Sequence, residues 1–265
     1  MVSTIVLPTV ASADALLAAL GREPSSGTVP ASFLAVPAVA VTRAAMTAAG
    51  WDPDAPTLRH VLLDVRGLQP VAFDEPVTMT VGATTVGRLG RGAGLACTIT
   101  AEQGGRSLAD VTVVVQDQGR PPGSSAEAAG RLQLGAVRPV DPSIPASTQP
   151  LRFRLAEVLA YLELAGDLVA IHHDADVARA HGLDRPIVPG ILLAAGMVEA
   201  TAARWPAAVS GFTVRFRQPV FVDEEVVLHS RDEAGAGSPV RLALQGPYGA
   251  ERVRGMVHFA ASAGS

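Results

Sequence analysis

No lysine occurs anywhere in the 265 residues, so all 21 basic side chains are arginines. Chemistry that needs a lysine Schiff base, pyridoxal-phosphate catalysis included, is thereby excluded. Cysteine occurs once, as Cys97. A lone thiol can form neither an internal disulfide nor a thiolate metal cluster, which points to a reducing, cytoplasmic setting. Charged residues make up only 17% of the chain and the net charge is -4. Such a balance offers no polyanion-binding surface, so nucleic acid is not an expected partner. Nor does any run approach the roughly 20 apolar residues of a membrane helix, and no membrane association is expected. The first residues contain no base before Arg22 and are broken by Pro8, so they do not read as a secretory signal.

What the chain does have is apolar content, 48%, and a length comfortable for two domains. Proline, glycine and serine concentrate in residues 118–150, which read as a linker between an N-terminal unit at 1–117 and a C-terminal unit at 151–265. The two flanks share a repeat. Gln69-Pro-Val-Ala-Phe-Asp-Glu-Pro-Val77 recurs as Gln218-Pro-Val-Phe-Val-Asp-Glu-Glu-Val226 with identical spacing, the mark of a duplicated unit. The recurring pairs Asp74-Glu75 and Asp223-Glu224 suit a turn better than paired catalytic carboxylates.

Alternating apolar residues predict antiparallel strands at Val77, Met79 and Val81, at Val240, Leu242 and Leu244, and at Val253, Val257 and Phe259. Phe212, Val214 and Phe216 form another such strand, whose polar face carries Arg215 and Arg217. Residues 190–205, GILLAAGMVEATAARW, are apolar on nearly every side and predict a fully buried helix opening after Pro189. Residues 39–50 are its weaker counterpart in the first half. A buried helix followed by antiparallel strands, twice over, implies an α+β fold. The pattern resembles the double hotdog fold, in which two antiparallel sheets each wrap around a central helix.

The stretch from Tyr161 to Ala178, YLELAGDLVAIHHDADVA, resembles the signature of MaoC-like enoyl-thioester hydratases and dehydratases. In that signature an aromatic residue precedes a Gly-Asp, a histidine follows the aspartate by five positions, and an alanine lies six further on. Here these are Tyr161, Gly166-Asp167, His172 and Ala178. The likeness continues through residues 178–190 into the predicted helix and over GFTVRFRQPVFV at 211–222. The family usually has Asn-Pro where this chain has Val169-Ala170, and a histidine where it has Pro189.

The resemblance implies reversible hydration of a 2-enoyl thioester, or dehydration of a 3-hydroxyacyl thioester, carried by coenzyme A or an acyl-carrier protein. No cofactor or metal is needed. Asp167 and His172 would form the acid/base pair and the Gly190 N–H, at a helix start, the oxyanion contact. Arg215 and Arg217 are candidate phosphate-binding residues. Tyr161 is expected in the core, and His60, His173, His181, His229 and His258 are expected to be structural. With no Asp/His pair in the N-terminal half, one site per chain is expected, and homo-oligomer formation is left open. Isomerisation, intramolecular addition of a substrate hydroxyl, and a non-catalytic thioester-binding subunit are the competing readings.

Overall fold

The computed structural model describes residues 3–6, 8–23, 28–55, 57–120, 130–135, 137–139, 146–232 and 239–261. The N-terminal half contains strand β1 (Ser3–Val6), helices α1 (Val10–Ala19) and α2 (Ala35–Ala48), and strands β2 (Leu58–Arg66), β3 (Val77–Leu89), β4 (Gly92–Gln103) and β5 (Arg106–Asp117). The C-terminal half contains β6 (Ser147–Arg152), α3 (Leu155–Ala165), α4 (Ala175–Ala180), α5 (Gly190–Ala202), β7 (Val209–Phe216), β8 (Glu225–Asp232), β9 (Val240–Gln245) and β10 (Glu251–Phe259).

All ten strands lie in one sheet, in the order β1-β3-β4-β5-β2-β7-β10-β9-β8-β6, and every pairing of these strands is antiparallel. The order reads the same from either end, because 1-3-4-5-2 and 6-8-9-10-7 are one connectivity used twice. The expectation of two separate sheets is corrected at the centre. Strand β2 pairs with β7 from Leu62↔Arg215 to Val65↔Phe212, joining the halves. Left apart, β2 and β7 would each present a row of unpaired N–H and C=O groups, and pairing removes both edges.

The duplicated motif is a structural device. Asp74 and Asp223 both adopt left-handed backbone, φ 58° and 64°, a conformation that aspartate tolerates better than most residues. Each donates its N–H to the residue just ahead of the half's first helix, Asp74 to Pro8 O at 2.8 Å and Asp223 to Phe153 O at 2.9 Å. Glu224 then accepts from the Phe221 N–H and pairs with Arg252 at 3.2 Å. These acidic residues hold turns, as their recurrence suggested.

Helix α5 is buried without interruption from Ile191 to Thr201, as its all-round apolarity predicts. Its one carboxylate, Glu199, accepts the backbone N–H and hydroxyl of Ser32, both at 2.8 Å. Burial raises the pKa of this carboxyl above its ordinary value of 4.5. This contact ties the second half's central helix to the segment leading into α2. Of the expected linker, residues 121–129, 136 and 140–145 lie outside the described residues, and its end is already strand β6. Where described, it runs beside β3, with Arg88 and Leu132 exchanging backbone bonds with Gly130 and Arg88, and reaches β10 through Arg254 Nη1 to Val137 O at 3.3 Å.

Candidate active site

Helix α3 ends in a sharp turn that sets Asp167. Gly166 is left-handed at φ 63°; its N–H donates to Glu163 O at 3.3 Å, and the Asp167 N–H reaches back to Leu162 O at 3.1 Å. This is the Schellman arrangement, which glycine closes at least cost. It turns the Asp167 side chain inward, where only 8% of it stays exposed. Beyond it the chain makes a short helical turn over Ala170–His172, secured by Val169 N–H to Asp167 O at 2.9 Å and His172 N–H to Val169 O at 3.2 Å. Backbone bonds thus shape the loop where the family usually has asparagine. Polar support for the carboxylate comes from the other half of the chain: Arg43 on α2 places Nη1 3.3 Å from Asp167 Oδ1 and Nη2 2.7 Å from Asp54 Oδ1.

His172 Nδ1 lies 2.8 Å from the Ile187 carbonyl oxygen. A carbonyl only accepts, so Nδ1 carries the hydrogen and Nε2 is left as the ring's acceptor. Burial lowers the His172 pKa below 6.5, opposed by the Ile187 bond and the nearby Asp167 charge. At neutral pH the ring is therefore an unprotonated base.

Asp167, His172 and Gly190 line one cavity of about 650 Å³, within the usual range for a small-molecule site. Gly190 opens α5 behind Pro189, which offers no side-chain cap, so the first N–H groups of this buried helix have no partner within the helix. A side chain at 190 would meet His60 Cβ at 3.3 Å and the Phe216 ring at 3.5 Å; glycine keeps the helix start open to the cavity.

Of the two arginines singled out in sequence, Arg217 is on the cavity wall, where its Nη1 pairs with Glu251 at 3.1 Å. Arg215 is not among the lining residues. It pairs in register with Leu62, one residue out of phase with the core-facing Val214 and Phe216, and so points from the sheet face opposite the helices. Tyr161 is fully buried, as expected, and burial pushes its pKa well above 10. His173 is exposed.

Several side chains that line the cavity fall outside the sequence expectations, among them Arg43, His60 and the exposed His181. Arg43 was a detectable one, since a lone charge in an otherwise apolar helix implies a buried partner. His60, on β2, lines the same cavity although strand alternation assigns it to the other face. The Asp167, His172 and Arg43 charges all act on it.

Residues 138–235, which span the turn, the pair and the helix start, match the family model of the MaoC like domain. The match is confined to residues 138–235 of the 265. A mitochondrial 3-hydroxyacyl-[acyl-carrier-protein] dehydratase of Solanum lycopersicum is 30% identical over 105 residues, 39% of this chain and 58% of that protein. An (R)-specific enoyl-CoA hydratase of Aeromonas caviae is 37% identical over 78 residues, 28% of this chain and 58% of that protein. The matches thus span less than two thirds of either relative. The likeness in fold extends beyond the matched residues. The crystal structure of HtdX from Mycobacterium tuberculosis superposes with a TM-score of 0.74, covering 98% of this chain and 100% of that one at 23% identity. The fold is therefore of the hotdog type found in MaoC proteins. Among the described residues no group of side chains has the makings of a metal site, and no helix is long and apolar enough to cross a membrane.

Proposed function

We propose that the chain catalyses reversible hydration of 2-enoyl thioesters, or dehydration of 3-hydroxyacyl thioesters, carried by coenzyme A or an acyl-carrier protein. The observation that carries this reading is the convergence of Asp167, His172 and the start of α5 at Gly190 on one cavity. A water held between the carboxylate and His172 Nε2 gives up a proton to the pair as its oxygen bonds the β-carbon. The pair returns a proton to the α-carbon, so the net change is one water added and the side chains are restored. Negative charge that builds on the thioester oxygen meanwhile faces the Gly190 N–H. Arg217, at the wall, is the residue to meet the carrier's phosphate.

In this reading the architecture is a double hotdog, with units at 1–117 and 151–265 and one active site per chain. The mirrored strand order supports it. So does the turn after α1, which repeats the one after α3 with Gly21 at φ 62° and the Arg22 N–H bonded to Leu17 O at 2.9 Å, while the sequence of the N-terminal half has no histidine five residues after an aspartate. That turn aligns Asp167 with Arg22, a few residues from the Ala18 that the spacing of the sequence repeat suggested.

Turnover of an enoyl-CoA in isotopically labelled water tests the reaction. Solvent oxygen at the β-carbon of the product is expected. A product that is an isomer or a cyclic ether, free of solvent oxygen, would overturn hydration in favour of another use of the same pair.

A further inference from the structure

Besides His172, two imidazoles line the cavity: the exposed His181, and His60, which the other half of the chain supplies. On strand β2, Leu63 and Val65 face the helices and Leu62 and Asp64 face away. Unbroken alternation would send His60 outward with Leu62 and Asp64. Instead the β2–β5 register slips between His60 and Leu62: Leu62 pairs with Val114, and His60 with Val115. Val115 belongs to the core face and lines the cavity. The bulge therefore reverses the strand's phase and delivers His60 to the cavity, a use of bulges common beside binding sites.

The delivery point is specific. His60 Cβ lies 3.3 Å from where a Gly190 side chain would begin, so the root of the His60 side chain packs against the first residue of α5, and both residues line the same cavity. Among the described residues no hydrogen bond engages its ring. His172, by contrast, has committed Nδ1 to a carbonyl. Burial holds His60 below the ordinary 6.5, reinforced by His172 and Arg43 and opposed by Asp167. It is thus a neutral ring with one N–H to give and no described acceptor.

We propose that His60 donates this N–H to the carbonyl oxygen of the bound thioester, beside the Gly190 N–H, so that the oxyanion is held by one donor from each half of the chain. The proposal rests on the hydratase reading above and adds a substrate-contacting residue to it. It also gives the N-terminal half, which lacks an acid/base pair of its own, a direct part in the chemistry. A donor of this kind strengthens its bond as charge develops, so its loss falls on kcat more than on KM.

The test compares full-length wild type, His60→Phe, His60→Gln and Asp167→Asn in the hydration of crotonyl-CoA and of dodecenoyl-CoA, with thermal melting of each. His60→Phe keeps a ring without a donor and is expected to lower kcat by about 10²-fold, the usual worth of one oxyanion donor, with KM nearly unchanged. His60→Gln, which retains an N–H, is expected to recover most of that loss. Should His60→Phe fail to fold, His60→Met carries the same comparison. Wild-type kcat in the donor-less variant while Asp167→Asn is impaired would overturn the donor role and leave the hydratase reading standing. Equal loss in folded Gln and Phe variants would overturn it too. No hydration of either thioester by wild type would remove both the reading and the inference.

Discussion

The two halves of the chain share a connectivity and differ in what they do with it. After α1 and after α3 the backbone makes the same glycine-closed turn, yet the residue after the glycine is the half-buried Arg22 in one case and the buried Asp167 in the other. Central helix α5 opens on a bare glycine beside the cavity, whereas α2 sends Arg43 across to Asp167. One half holds the pair; the other holds the arginine that supports its carboxylate and the histidine that packs against its helix start. In the proposed reading the two halves divide the labour, each supplying residues to one site.

That division can be broken on the side of the pair first. His172→Ala is expected to lower turnover by about 10²–10⁴-fold with the melting temperature little changed, since general acid/base groups contribute on that scale. A steady-state assay beside a melting curve checks it.

The two central helices offer a comparison in stability. Leu192 on α5 is completely buried, and Leu192→Ala is expected to cost about 2–5 kcal/mol. Val41, equally buried on α2, has fewer carbons to lose, and Val41→Ala should cost about 2 kcal/mol. Denaturant titration of the two variants measures the difference; a larger loss at Val41 would reverse the ranking of the two cores.

A smaller effect is expected at the bridge between the halves. The Arg43 side chain is 27% exposed, so its pairing with Asp167 is partly screened and should contribute about tenfold or less to turnover. Arg43→Met is expected to lower turnover by no more than that factor with the melting temperature little changed, read from a steady-state assay beside a melting curve. A loss as large as that of His172→Ala would place Arg43 in the chemistry itself.

The smallest effect concerns pH and stability. Both His60 and His172 have folded-state pKa values below 6.5. The unfolded chain therefore binds protons at a higher pH than the native one does, and stability falls as pH drops below about 6.5. Melting temperatures measured from pH 7.5 downward should decline there, and less steeply in His172→Gln.

Much of this was legible in the residues. The repeated Q-P-V-x-x-D-E-x-V marked the duplication because a left-handed turn position accepts few residue types, and the all-apolar run from Gly190 could only be a buried helix. The inner members of the candidate site were legible as a motif, since Gly166, Asp167 and His172 lie close in one stretch of chain. What escaped was non-local. His60 reaches the cavity through a slip in backbone register, which leaves no trace in the alternation of LRHVLLDVR; Leu62 and Leu63 are apolar on both faces. Arg215 was misjudged from the same cause viewed in reverse: alternation gave it a polar face, and only the pairing of β2 with β7 tells which side of the sheet that face is on. The single sheet likewise depends on which edges meet, a property of the assembled halves.

The central claim is that Asp167 and His172 perform hydration in a cavity completed by the N-terminal half. Its most direct test is the hydration rate of a 2-enoyl-CoA by wild type and by Asp167→Asn, a change that keeps the shape of the side chain and removes its charge. A folded Asp167→Asn protein slower by about 10²-fold or more is the predicted result, and one that hydrates at the wild-type rate would contradict the account.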